Sequence, residues 1–334
     1  MGIKLLKKLI RKNAPGCIKV FNINNLFGKT IAIDSSILLY KFRYFYKEDN
    51  FHIIGFINKI IDFLSIGVKP VFIFDGKPPD AKKKVLDKRI NERKKMKERL
   101  DFLLTQTHGE QNLDEFIDSE DETTLDENTK NLQSFHKEIK KIKKNLLYVN
   151  KTHSLEVMEL LKSLGIPFLQ SPAEAEEYCS FLQKNGLVDY IFTEDTDSLA
   201  FGGSNIIFKT KNEYEIINTP ILLDELNLNY CQFVDLCILC GCDYTCTIPK
   251  IGPVNALNII KKYGSIEFFL ESNKNYTVPD SFDYKLARNL FKQNENYELV
   301  NFVKEDLNRE NLTEILQKNN LIHLLNKLTC LILI

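Results

Sequence analysis

The chain has 334 residues, a formal net charge of zero, 44% hydrophobic residues and 27% charged residues. That is enough chain to bury a sizeable core in one large domain or two, and the balance is that of a globular protein. No stretch has the length and freedom from charge of a membrane span, and there is no global excess of positive charge, so any affinity for nucleic acid must come from local patches.

The N-terminal segment MGIKLLKKLIRKN is basic and amphipathic. It has neither the apolar core and cleavage site of a secretory signal nor the Ser/Thr of a myristoylation site. Eight cysteines in a chain without such a signal predict a reducing, intracellular compartment.

Three short apolar runs then end in acids: TIAIDSS at Asp34, PVFIFDG at Asp75 and DYIFTEDTD at Asp195 and Asp197. Each reads as a buried strand, and continuous apolarity rather than alternation predicts a sheet covered on both faces, as in parallel α/β folds. Amphipathic segments over Phe51–Ile66, His153–Leu164 and Ala173–Lys184 supply the helices, Ile166–Leu169 one more strand, and Ile206–Lys209 with Tyr214–Ile217 an antiparallel edge pair. In open α/β sheets ligands bind beyond the carboxyl ends of the strands, which is where these acids fall. Glu174 and Glu176 sit in the first turn of a helix signalled by Ser171 at its cap and Pro172 at its first position. Acids there also suit the helix dipole with no other role.

Between the second and third of these runs the charge is segregated. Residues 81–99 carry ten Lys/Arg against three acids, residues 110–128 nine acids and no base, and residues 137–144 (KEIKKIKK) are basic again. The acidic insert has no clear period and reads as a loop. The basic flanks fit either a solvated helical hairpin or an arch that attracts phosphates.

Cys231–Leu239 reads as an apolar helix ending at Gly241, followed by CDYTCTIPKIGPVNALNIIKKYG. The Pro/Gly turn and helix start in that segment free backbone N–H groups that can hold a phosphate at Gly252, assisted by Lys250, Lys261 and Lys262. Cys237, Cys240, Cys242 and Cys246 include one CxxC spacing but no second pair at zinc-ribbon distance, so they read as buried thiols. Beyond about residue 275 no motif is legible, and the five histidines are scattered.

Seven acids stand out: Asp34, Asp75, Glu174, Glu176, Asp195, Asp197 and Asp243. Gathered without a cation they raise one another's pKa. Gathered around two hard divalent ions, Mg²⁺ or Mn²⁺, roughly 4 Å apart, they are satisfied, and such a pair hydrolyses phosphodiesters.

The blocks MGIKLLKKLI, GKTIAIDSSILLY, KPVFIFDGKPPDAKKKVLDKR, LGIPFLQSPAEAEEYC, TEDTDSLAFG, QFVDLCILCGCDY and IPKIGPVNALNII together resemble the flap endonucleases of the XPG-type structure-specific nuclease family, over about residues 1–270. The resemblance implies an α/β, PIN-like nuclease core with a mostly parallel central sheet flanked by helices, a helical arch and a helix–two-turn–helix element. It implies a two-metal 5′-nuclease, with 5′–3′ exonuclease activity, acting on branched or flapped DNA in replication, repair or recombination. All seven acids match the family's metal ligands. Lys82 and Arg89 match the arch cations that approach the scissile phosphate, and Tyr40 an aromatic that stacks on the neighbouring base. Ile248–Ile260 matches the duplex-gripping element, which holds a monovalent cation, K⁺.

The chain departs from the family in four places. Lys250 stands where the family has Gly, Cys240 and Cys242 replace Leu and a small polar residue, the arch carries the acidic insert, and no sliding-clamp peptide is found near the C-terminus. The expected organisation is an N-terminal nuclease region at 1–100, the insert and rest of the arch at 101–145, an internal nuclease region at 146–270, and a C-terminal helical extension at 271–334. A monomer working in the nucleus or another site of DNA replication is expected. The alternatives are a catalytically inactive branched-DNA binder and a 5′–3′ exonuclease or ribonuclease of related fold.

Overall fold

The computed structural model describes residues 2–106, 127–146, 148–210, 213–272, 275–292, 297, 298, 300, 302 and 304–333. Most of the acidic insert lies outside the described residues. Seven strands, β1 (Ile18–Phe21), β2 (Thr30–Asp34), β3 (Lys69–Phe74), β4 (Phe168–Gln170), β5 (Tyr190–Phe192), β6 (Asn205–Lys209) and β7 (Tyr214–Asn218), form one sheet in the order β1-β7-β6-β5-β2-β3-β4. The five strands from β6 to β4 run parallel, and β7 and β1 close the other side antiparallel.

The mostly parallel sheet predicted from the apolar runs is therefore present, and its two faces explain why those runs do not alternate. Ile31, Ile33, Phe72 and Phe74 point into one core. Their neighbours Ala32, Val71 and Ile73 point into another on the opposite face. Helix Phe51–Leu64 covers the first face and helix Ala175–Lys184 the second. The pair β6–β7 is antiparallel as expected but is not the edge: β1 lies outside β7, with Ile18 opposite Ile217.

Helices Lys83–Gln106 and Glu127–Asn145 pack on each other around a small core of Leu103, Ile139 and Ile142, and Arg99 forks onto Glu138 across the hairpin at 2.9 and 3.0 Å. The basic stretches are thus a two-helix hairpin with its own apolar seam. Near the C-terminus, helices Arg309–Lys318 and Leu325–Leu333 place Leu312, Leu316, Leu328 and Ile332 in the same core as β2 and β3. Among the described residues no helix is long and apolar enough to cross a membrane.

Candidate metal and phosphodiester site

The carboxyl ends of β4, β3, β2 and β5 lie side by side, and each delivers an acid. Asp34 is the last residue of β2 and also the cap of helix Ser35–Phe45, where its Oδ1 accepts the Ile37 N–H. Asp75 follows β3, and its Oδ1 accepts the N–H of Ala175 at 2.9 Å, on the far side of β4. That bond corrects the expected start of the helix. It begins at Ala175 rather than Ala173, with Glu174 at the cap position and no side-chain cap of its own; Ser171 instead closes a turn through Ala173 and Glu174. A carboxylate from another strand satisfies the first free N–H of the helix. Glu176 remains in the first turn, as the sequence predicts.

Asp195 and Asp197 follow β5 in a turn closed on itself, the Asp197 N–H donating to Asp195 Oδ1 at 3.0 Å. Asp243 arrives after helix Tyr230–Cys240, which ends at Gly241 with φ 110°, a value that favours glycine. Asp75, Glu174, Glu176, Asp195 and Asp243 line one cleft of about 200 Å³ together with Lys82, Arg89 and Tyr40. Asp34 and Asp197 lie buried behind its wall, 1% and 4% exposed.

The electrostatics join all seven. Burial, with repulsion from Asp75 and Asp195, pushes the Asp34 carboxyl up to about 7 against a hydrogen bond from Thr193. Burial and the neighbouring Asp34, Asp75, Asp195 and Glu174 push Glu176 well above the carboxylate range. Burial and Asp195 do the same to Asp197, with Lys82 opposing. Asp197 Oδ1 is moreover a buried oxygen with no hydrogen-bond partner. One unpaired buried oxygen and crowded like charges, all hard oxygen donors, fit divalent cations. Among the described residues no three such side chains converge on a single point; the acids border the cleft, and protein cations balance part of their charge. Lys82 donates to Glu174 and lies 3.9 Å from Asp243, and Arg89 donates to Asp243 at 2.8 Å. Burial lowers the Lys82 pKa, but Glu174, Glu176 and Asp243 outweigh it and hold the ammonium above its ordinary value.

Three contributors escape sequence reasoning. Thr193 bridges Asp34 and Asp195. Buried Tyr244, packed against Phe201 and Phe291, donates its hydroxyl to Glu174. Gly2, at φ +84°, lies so close to Asp195 that an added Cβ falls 1.9 Å from Oδ1. Tyr244 adjoins Asp243, and Thr193 lies two residues before Asp195, in sequence; those neighbours are the signals that pointed to them.

The turn before helix Pro253–Tyr263 places Lys250 in the left-handed region at φ 67°, where a side chain is strained. Gly252 caps the helix with open space around its Cα. Lys261 and Lys262 do not join them. Both sit in the last turn, roughly 14–15 Å along the axis from Gly252 at 1.5 Å per residue. The shared phosphate site predicted for Lys250, Lys261 and Lys262 is corrected accordingly: a helix lies between them. Cys237, Cys240 and Cys242 are buried free thiols, and burial pushes Cys240 to about 12 and Cys242 to about 11, away from metal ligation.

Two family models match the chain, the XPG N-terminal domain over residues 1–96 and the XPG I-region over residues 165–243. The chain is 36% identical over 313 residues to flap endonuclease 1-A of Physcomitrium patens, covering 88% of this chain and 73% of that protein. It is 37% identical over 317 residues to flap endonuclease 1 of Danio rerio, covering 88% and 76%. Among solved structures, the catalytic core of Rad2 in complex with DNA substrate has the same fold, with a TM-score of 0.71, 23% identity and 99% of each chain covered.

Proposed function

The chain belongs to the XPG family of structure-specific nucleases, and on that premise we propose how its cleft cuts DNA. The protein is a metal-dependent phosphodiesterase that hydrolyses DNA at 5′ flaps or branched junctions. One observation carries this assignment: acids from the ends of β3, β4 and β5, Asp243 and the two arch cations Lys82 and Arg89 border the same cleft, with Asp34 at the end of β2 buried behind it.

In the finer proposal the seven acids hold two Mg²⁺ or Mn²⁺ ions. Bound ions of this kind supply a water that is ionised near neutral pH and neutralise charge on the leaving oxygen. The chain's own groups do the rest. Asp34 and Asp197, both buried, and half-buried Glu176 bring crowded negative charge that divalent cations would compensate. Lys82 and Arg89, at the foot of the arch, neutralise the phosphoryl oxygens as charge develops. Tyr40, 47% exposed at the rim, stacks on the base beside the cut, a contact that any base can make. The turn at Lys250 and Gly252 grips the backbone of a duplex arm, with a K⁺ ion as the finer part of the same proposal. Lys261 and Lys262 meet phosphates further along that arm.

Residues 1–100 and 146–270 supply the chemistry, 101–145 the rest of the arch, and 271–334 a buttress for the core. A monomer at an intracellular site of replication, the nucleus included, and 5′–3′ exonuclease action on nicked ends complete the proposal.

The test is a labelled 5′-flap substrate incubated with the protein with and without Mg²⁺, beside nicked, blunt and RNA substrates. Metal-dependent cut products at the flap base are expected. Intact flaps in every divalent salt reject the assignment, and cleavage of RNA alone moves it to a ribonuclease.

A further inference from the structure

A single hydroxyl joins the two halves of the acid cluster. Thr193 is the first residue after β5 and is fully buried. Its Oγ1 donates to Asp34 Oδ2 at 2.8 Å and accepts the Asp195 N–H at 3.0 Å. Asp195 Oδ1 in turn accepts the Asp197 N–H. With Asp34 ionised, the direction of this chain is fixed by chemistry. A backbone N–H only donates, and once Asp34 is ionised, as a metal ligand must be, its carboxylate only accepts, so the one proton of the hydroxyl between them points to Asp34.

The bridge matters because of what it spans. Asp34 interacts with Asp75 and Asp195, whereas Asp197 interacts with Asp195, Asp243 and Glu174. Asp195 and Glu176 each interact with members of both groups, and Thr193 ties the Asp195 backbone to the end of β2. Val has the same shape but leaves both the Asp195 N–H and Asp34 Oδ2 without this partner at a buried position. Partners of this kind, one bond removed from a metal ligand, set ligand orientation and typically change metal affinity by about 10–100-fold.

We propose that Thr193 is a positioning residue that fixes Asp34 relative to Asp195, so that the two groups of acids take up divalent cations together. The proposal rests on the metal-dependent nuclease assignment, and its test separates the two. Ca²⁺ binding is measured by calorimetry on the full chain for the parent, Thr193→Val, Thr193→Ala and Thr193→Ser, and the Mg²⁺ dependence of flap cleavage is measured for the same four. Both hydroxyl-free variants are expected to bind Ca²⁺ about tenfold more weakly and to need about tenfold more Mg²⁺ for half-maximal rate. Their rates at saturating Mg²⁺ should fall by less than about threefold, and Ser should stay within about twofold of the parent throughout.

A merely structural role predicts instead a lower melting temperature with unchanged half-saturation, which overturns the proposal. So does a Ser variant as impaired as Val. If Val does not fold, the Ala and Ser pair decides in the same way. A parent that binds Ca²⁺ yet cuts no flap rejects the nuclease assignment while the calorimetry still decides the role of Thr193.

Discussion

Arg89 donates to Asp243 at 2.8 Å across 154 residues of sequence, and beside it Lys82 donates to Glu174. The foot of the arch is thereby pinned to the acids of the cleft by charge. The same two cations are assigned to the substrate phosphate, so they have two competing claims on them.

Lys82→Ala combined with Arg89→Ala separates those claims. Cleavage at saturating metal is expected to fall at least about 100-fold, the range of losing preorganised charge stabilisation. Flap binding should weaken by less than about tenfold. Divalent half-saturation should move to lower concentrations, because two competing positive charges are gone. Equal losses in binding and rate, measured by fluorescence anisotropy and single-turnover cleavage, would mean that the pair only holds DNA.

Asp197→Asn removes a buried charge whose Oδ1 has no partner. Cleavage in Mg²⁺ should drop by about three orders of magnitude, while flap binding in Ca²⁺ persists. The metal-free protein should melt about 2–4 °C higher, since relief of functional-site strain commonly stabilises. Near-parental cleavage refutes its assignment as a ligand.

The Asp34 carboxyl titrates at about 7 in the folded protein, above roughly 3.9 when unfolded. Between these values the folded state holds the extra proton, so its stability is full below about pH 4 and is lost as pH rises through 7. Metal-free melting temperatures should therefore fall from pH 5 to pH 8, and added Mg²⁺ should raise them more at pH 8 than at pH 5. Thermal melts across that range check the sign. A metal-free protein that gains stability between pH 5 and pH 8 contradicts it.

Lys250 at φ 67° carries a left-handed strain of about 1–2 kcal/mol that glycine escapes, less the entropy that glycine loses on folding. Lys250→Gly should stabilise the protein by about 0.5–1 kcal/mol, whereas Lys250→Ala should not. If the ammonium meets a phosphate, both variants lower the salt dependence of duplex binding by about one unit of slope. An unchanged slope removes Lys250 from the interface.

Much of the site was legible because its signals are local. An apolar run that ends in Asp34, Asp75 or Asp195 states both the strand and the position of its acid, whatever surrounds it. The apolar seam of the basic hairpin, Leu103 against Ile139 and Ile142, was hidden by the charge around it. The strand β1 was missed because a four-residue edge with Lys19 and Val20 exposed carries no apolar pattern.

The sequence by itself determined which acids close the apolar runs, Asp34, Asp75, Asp195 and Asp197, and that these stand at parallel strand ends, since periodicity and charge are properties of neighbours along the chain. Only the tertiary structure decided how those acids are held. Asp75 caps a helix 100 residues away, Thr193 and Tyr244 hydrogen-bond to acids on other elements, and one helix keeps Lys250 apart from Lys261 and Lys262. A hydrogen bond requires a donor within about 3 Å in the right direction, and for residues this far apart in sequence only the packing of the sheet and its helices sets that distance.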